Sequence, residues 1–291
     1  MVHKDMAPLG GVPMSQRARR AVVLVFLLAW VSTDAFADSG WRDNDAGTGA
    51  DAGNSRAAAT PVNLAIKYGG GASGSDIDWY ATSVPASGAS CVETRVHAEN
   101  PMYFALGAEV ADSTVSAPIR VNASEEGVAG IAGQTPLTAT LRARRVPYTD
   151  SQTNYDFRLD RIGIPSGNLD GPTGVDAGDS ASTAMPISFG CTGGHLAMLD
   201  LRDVFALQLP AGRVLTYSLA ANSGGFSLAL LDSIGNAVGP ALDPGQVATA
   251  SPPSGTYYLS AQRSAGVTDV GYVIGALAGP EPTGCRPLCI D

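Results

Sequence analysis

Asp45-Ala-Gly-Thr-Gly-Ala-Asp51-Ala-Gly-Asn54-Ser55 returns later in the chain as Asp170-Gly-Pro-Thr-Gly-Val-Asp176-Ala-Gly-Asp179-Ser180, every matched position displaced by 125 residues. The same offset carries Asp78-Trp79-Tyr80-Ala81 and Pro85 onto Asp203-Val204-Phe205-Ala206 and Pro210. Thr138 to Leu141 and Arg145 then match Thr256 to Leu259 and Arg263 at an offset of 118, and Tyr155 matches Tyr272 at 117. Such drift is what loop deletions leave in a tandem duplication. A repeat this long is a whole domain and not a solenoid unit. The sequence therefore reads as two copies of one module, residues 38–163 and 164–291.

Within each copy the apolar residues alternate. Tyr80, Thr82 and Val84, and in the second copy Phe205, Leu207 and Leu209, fall on one face of an extended strand, with Trp79, Ala81 and Ser83 on the other. Tyr155, Phe157 and Leu159 alternate with Asp156, Arg158 and Asp160, which predicts a half-buried strand with a wet outer face. Short runs at Ala117 to Val121, Leu137 to Leu141, Leu215 to Leu219, Phe226 to Leu231 and Tyr257 to Ala261 are separated by Gly, Pro, Asn or Ser turns. Regularly spaced short strands fold as β-sandwiches or barrels, so the fold class is all-β.

Composition agrees. The chain has 291 residues, of which 45% are hydrophobic and 15% charged, so packed cores form and a disordered polyelectrolyte is excluded. Beyond residue 37, fourteen Lys and Arg face twenty-five Asp and Glu, a formal charge of −11, and Lys67 is the one lysine. Nucleic acid and anionic membrane surfaces are poor partners for such a body.

The N-terminus reads as an address. Arg17, Arg19 and Arg20 precede eleven apolar residues from Ala21 to Val31, and Ala35-Phe36-Ala37 supplies the small-x-small pattern of a signal-peptidase site. Residues 1–37 are therefore expected to be a signal peptide, with Met14 as an alternative start and Asp38 as the mature N-terminus. Eleven apolar residues fall short of the roughly 20 that span a bilayer as a helix, so no membrane span is expected after cleavage. Arg19-Arg20-Ala21-Val22-Val23 partly matches a twin-arginine signal, without the basic residue usual after the apolar pair. Secreted, extracellular or cell-surface localisation follows. Cys91, Cys191, Cys285 and Cys289 are an even set in a chain bound for an oxidising compartment, where disulfides form. Three connectivities are open, one of which pins the C-terminal tail to Cys191. A zinc site at Cys285-x3-Cys289 lacks a second nearby pair.

An Asp/Asn-rich opening, a glycine turn, and an acidic pair running into an aromatic-apolar strand that ends at Pro-Ala-(Ser)-Gly resemble the pre-peptidase C-terminal (PPC) domain of secreted bacterial and archaeal proteins. The carriers are Gly74-Ser-Asp76-Ile-Asp78-Trp79-Tyr80 with Pro85-Ala-Ser-Gly88 in the first copy. In the second they are Asp200-Leu-Arg-Asp203-Val204-Phe205 with Pro210-Ala-Gly212, then Gly255-Thr-Tyr-Tyr-Leu259. The resemblance covers nearly all of residues 43–278. It implies a jelly-roll-like sandwich, not itself catalytic and often appended to secreted peptidases, although no peptidase-like segment precedes the repeats here. It also implies the pairing of opening loop with strand-start carboxylates, because related collagen-binding modules bind calcium with similarly placed groups.

Calcium takes six to eight oxygens, and Gly-rich acidic loops offer both carboxylates and carbonyls. Asp45, Asp51, Asn54, Asp76 and Asp78 are the candidate ligands of one site; Asp170, Asp176, Asp179, Asp200 and Asp203 are those of the second. The competing reading is that Asp, Asn and Gly make good turns. The kept Asp spacing across the duplication favours metal. Gly47-x-Gly49-x-Asp51 is half of a calcium-binding nonapeptide but occurs singly, and no Glu stands where an EF-hand needs one. Gly69 to Gly74 matches a dinucleotide fingerprint only formally, since a strand follows it, and reads as a flexible turn.

Hydrolase signatures are missing: no Gly-x-Ser-x-Gly or His-Glu-x-x-His occurs, and His97 and His195 are the histidines beyond residue 37. Asn122-Ala-Ser124 fits a glycosylation acceptor. The resulting expectation is a secreted, non-catalytic, calcium-stabilised tandem β-sandwich protein with a structural, adhesion or polymer-recognition role. Its partner is then an extracellular polymer or a cell-surface protein. Carbohydrate binding through Trp41, Trp79, Tyr103, Tyr257 and Tyr258 is one alternative. An unrecognised extracellular hydrolase is the other, and a raised-pKa carboxylate pair in a deep cleft would favour it.

Overall fold

The alternation at Trp79 to Val84 becomes a strand with Asp78, Tyr80, Thr82 and Val84 buried on its inner face. The computed structural model describes residues 45–73, 76–85, 88–110, 113–123, 125–145, 152–165, 170–197, 199–267 and 269–280. Residues 1–37, expected as a signal peptide, and Asp38, Trp41, Ser124, Cys285 and Cys289 lie outside these described residues.

The first half carries β1 (Thr60–Pro61), β2 (Lys67–Ala72), β3 (Ile77–Val84), β4 (Ala89–Ala98), β5 (Met102–Val110), β6 (Ser113–Val121), β7 (Glu126–Gln134), β8 (Leu137–Arg145) and β9 (Thr153–Gly163). The second carries β10 (Met185–Pro186), β11 (Gly190–Leu196), β12 (Arg202–Leu209), β13 (Arg213–Ala221), β14 (Phe226–Leu231), β15 (Val247–Ala250), β16 (Gly255–Arg263) and β17 (Val270–Pro280). No α-helix occurs among the described residues.

In the first half β2 pairs with β9, β3 with β8, β4 with β7 and β5 with β6, all antiparallel. These pairs are nested, as in one long hairpin wound into two sheets, β1-β3-β8-β5-β6 over β2-β9-β4-β7. That winding is the jelly roll. The second half repeats it: β11 pairs with β17, β12 with β16 and β13 with β15, giving sheets β10-β12-β16-β14 and β11-β17-β13-β15. Where the first half has β6, the second has only single bridges, Leu228 to Leu242 and Leu231 to Ala237. This shortened stretch lies between the segments matched at 125 and those matched at 118, which locates the drift of the repeat.

Each pair of sheets closes on its own core. Tyr80, Phe104, Leu106 and Leu141 of one sheet meet Val92, Val96, Ile131 and Phe157 of the other. Phe205, Leu228 and Leu259 likewise meet Leu215, Tyr217, Tyr272 and Ile274. Leu277 of β17 belongs to the first core and not the second, so the second half completes the first.

The halves meet within one compact unit through small residues, Ala89, Cys91, Ala132, Ala220 and Val273. Here the Cys connectivity is decided: Cys91 on β4 is bonded to Cys191 on β11, with a Cα separation of 5.9 Å. The tail does not pin Cys191, because β4 and β11 bring the two cysteines together where the halves pack. Glu93 reinforces the seam, its Oε2 accepting the Cys191 amide at 2.9 Å while Oε1 pairs with Arg95. Ala132 donates its amide to Ser218 Oγ at 2.8 Å, and Gln134 donates to the Ala221 carbonyl at 2.7 Å.

A second correction concerns Gly69 to Gly71, which form part of β2 and not a flexible turn. The glycines are there for space. A Cβ on Gly70 would lie 2.5 Å from the Tyr155 hydroxyl and 2.7 Å from that of Tyr80. Gly194 of β11 faces Tyr272 in the same way, at 2.2 Å.

Candidate metal centres

Each opening loop is tied to its sandwich by a buried aspartate. Asp45 accepts the Ala52 amide through Oδ2 and the Gly71 amide through Oδ1, both at 2.9 Å. Asp170 accepts the Ala177 amide at 3.2 Å and the His195 amide at 2.8 Å. The loop then bonds to the first inward strand, Trp79 N to Gly53 O at 3.0 Å and Val204 N to Gly178 O at 2.9 Å. These paired hydrogen bonds repeat the sequence duplication atom for atom and set the loop carboxylates against those of β3 and β12.

Carboxylate oxygens of Asp45, Asp51 and Asp78 all lie within 4.8 Å of one another, as do those of Asp170, Asp176, Asp200 and Asp203. Seven of the ten expected ligands are thereby gathered. Asn54 is occupied otherwise, its Oδ1 accepting the Ile77 amide at 3.2 Å. Asp76 lines an adjoining surface pocket of about 390 Å³ with Asn54, Ser73 and Ile77. Asp179 stays exposed at the loop edge, outside the second cluster.

Tyr155 donates its hydroxyl to Asp78 Oδ2 at 2.5 Å. The Tyr80 hydroxyl lies 2.7 Å from that of Tyr155, and since Tyr155 has given its single proton to Asp78, Tyr80 is the donor to Tyr155. In the second half Tyr272 donates to Asp203 Oδ2 at 2.5 Å, and Phe205 stands where Tyr80 does, so that relay has one hydroxyl fewer. The other oxygen of each aspartate, Asp78 Oδ1 and Asp203 Oδ1, is buried and accepts no hydrogen bond, and Asp203 when protonated has the Asp170 carboxylate within reach. A buried ionised oxygen with no partner is costly unless a proton or a cation meets it.

The pull toward a proton is visible in the electrostatics. Burial pushes the Asp78 carboxyl up to about 8 against the opposing Tyr155 hydrogen bond, and the charges of Asp45, Asp76 and Asp51 add to the rise. Asp203 is raised to about 8 in the same manner, by burial first and then by Asp170, Asp200 and Asp176, against the Tyr272 bond. Asp45 is raised to about 6 by burial, in spite of its two amide donors. Burial and the charges of Asp176, Asp179 and Asp170 raise Asp200 to about 6, against the Arg202 amide.

The donor set fits a hard cation. Oxygens on opposite sides of calcium are up to about 5 Å apart, twice its usual 2.3 to 2.6 Å bond, and the clusters fall inside that limit. Neither cluster contains His or Cys, the ligands that select zinc. The sequence pattern supplied the aspartates but not the tyrosines; the matched Tyr155 and Tyr272 were the available signal.

Comparison with known proteins adds no family. No protein-family model matches the chain, and no curated protein matches it either. Among solved structures, the exported protein XepA of PBSX is similar over 75% of this chain and 89% of its own, at 9% identity and a TM-score of 0.28. Tripeptidyl peptidase 2 is similar over 75% of this chain and 24% of its own, at 11% identity and a TM-score of 0.26. Sulfolobus Turreted Icosahedral Virus contributes a chain similar over 72% of this one and 58% of its own, at 9% identity and a TM-score of 0.20. At TM-scores this low, none of these assigns a function to the chain.

Of the aromatic residues considered for sugar binding, Trp79 lies on β3, Tyr103 on β5, and Tyr257 and Tyr258 on β16. Tyr257 is buried with its hydroxyl on the Pro253 carbonyl at 2.7 Å, and the Arg142 guanidinium sits 5.6 Å over the Trp79 ring. Of the raised carboxylates, Asp78 and Asp203 each take a tyrosine hydroxyl, while Asp45 and Asp200 take backbone amides.

Proposed function

We propose that the chain is a secreted, non-catalytic, calcium-stabilised protein with an extracellular structural, adhesion or polymer-recognition role. The carrying observation is the pair of carboxylate clusters, built by the same hydrogen bonds in each half, each holding a buried carboxylate oxygen that accepts no hydrogen bond. A cation there would meet Asp78 Oδ1 and Asp203 Oδ1 and hold the opening loop to the sandwich. Asp45, Asp51 and Asp78 would hold the first ion; Asp170, Asp176, Asp200 and Asp203 would hold the second. The PPC resemblance and the basic-apolar N-terminus support the extracellular setting, where calcium is millimolar and sites of about 0.1 to 1 mM are filled.

Calorimetry in chelator and in calcium tests this reading. At tenfold excess over the dissociation constant each site adds about 1.4 kcal/mol, a few degrees in melting temperature. Asp176→Asn with Asp203→Asn should abolish calcium uptake at the second centre and leave the first. Equal melting temperatures in chelator and in calcium, with no heat of calcium binding, would sink the metal reading.

A further inference from the structure

The duplicated centres have diverged at their rims. Among the described residues, the exposed large hydrophobics are Ile66, Val175, Leu199, Leu201 and Ile234, and three of these five immediately neighbour ligands of the second centre. Val175 precedes Asp176, and Leu199 and Leu201 flank Asp200; they are 62%, 95% and 54% exposed. In the first copy the matching sequence positions are Ala50, Gly74 and Asp76. Isolated exposed apolar residues are ordinary, but three gathered on the two loops that form one carboxylate cluster mark an interaction site.

We propose that the second centre is a calcium-dependent docking site for a neutral, zwitterionic phospholipid surface. This rests on the calcium reading above. Leu199 projects almost fully from the β11–β12 loop, a shape that enters a fluid headgroup layer without a preformed pocket. Without a cation, insertion would press the exposed Asp176 and the half-buried Asp200 against that layer as bare carboxylates, at a desolvation cost that opposes it. A divalent ion cancels part of this charge. It also keeps coordination positions beyond those four carboxylates, which phosphate oxygens of the headgroup can fill. The buried Asp203 Oδ1, which accepts no hydrogen bond, is the independent sign that this cluster takes a ligand. The acidic body selects among membranes: its −11 beyond residue 37 repels an anionic bilayer and leaves a zwitterionic one accessible.

The test is sedimentation of the full chain with phosphatidylcholine vesicles, with and without added phosphatidylglycerol, in calcium and in chelator. Calcium uptake is titrated in the same samples. Binding to phosphatidylcholine in calcium, its loss in chelator, and weakening by phosphatidylglycerol are expected. Leu199→Ser should weaken vesicle binding about tenfold or more, the contribution of one buried leucine, with calcium uptake unchanged. Calcium uptake without vesicle binding, or vesicle binding indifferent to both Leu199→Ser and Leu201→Ser, overturns the docking site and leaves the metal centre standing. Calcium-dependent retention on phenyl-substituted agarose with none on vesicles assigns the rim to an apolar protein or polymer and overturns the lipid assignment. Absence of calcium uptake overturns the metal reading and the docking site together.

Discussion

The Tyr272 hydroxyl lies 2.5 Å from Asp203 Oδ2, reproducing across the duplication the 2.5 Å approach of Tyr155 to Asp78. In both halves a tyrosine from the last strand satisfies one oxygen of a fully buried aspartate and leaves the other for a proton or a cation. A glycine opposite, Gly70 or Gly194, makes room for the hydroxyl. The triad of Gly, Tyr and Asp is the structural unit that was duplicated with the fold.

Removing that hydroxyl should be costly. Tyr272→Phe and Tyr155→Phe each leave a buried carboxylate with neither oxygen bonded, and should destabilise by about 1 to 3 kcal/mol in chelator. Tyr80→Phe should cost less, because Phe205 already occupies that place in the second half. Urea unfolding of the three variants checks the order; equal costs would contradict the relay.

Acid and calcium should each stabilise the fold, and in place of one another. Asp78 and Asp203, raised to about 8, and Asp45 and Asp200, raised to about 6, have folded values above their unfolded ones. Their contribution is therefore present below the unfolded carboxylate range and is lost as pH rises through 6 and then 8. In chelator the melting temperature should fall between pH 5 and about 8, and saturating calcium, which binds the ionised form, should flatten or reverse the fall. Calorimetry at several pH values in the two buffers reads both slopes.

Reduction should loosen the seam between the halves. The Cys91–Cys191 bond closes a loop with a sequence separation of 100, for which chain entropy predicts about 4 to 5 kcal/mol. Cys91→Ser with Cys191→Ser should lower the unfolding free energy by an amount of this order. Unchanged denaturant midpoints would show that packing and the Glu93 hydrogen bond hold the seam alone.

Gly275→Val tests the closeness of that seam directly. A Cβ at Gly275 would lie 2.6 Å from the Gly130 carbonyl oxygen and 2.7 Å from the Ala132 amide nitrogen, both backbone atoms that cannot swing aside. A loss of about 1 to 3 kcal/mol is expected, and amide exchange should rise in β7 and β13 first.

Strand positions and most of the cluster aspartates were legible in the sequence alone. Period-two alternation at Tyr80 to Val84 is local, and the 125-residue spacing of Asp45, Asp51 and Asp78 from Asp170, Asp176 and Asp203 can be read without any fold. Tertiary structure alone decided that Cys91 pairs with Cys191, that Gly70 belongs to a strand, and that Tyr155 serves Asp78 from 77 residues away. Those relations depend on which strands the nested hairpin lays across one another and on how two sheets stack. Side-chain periodicity along one strand determines which face is buried, but carries no record of the partner that face will meet.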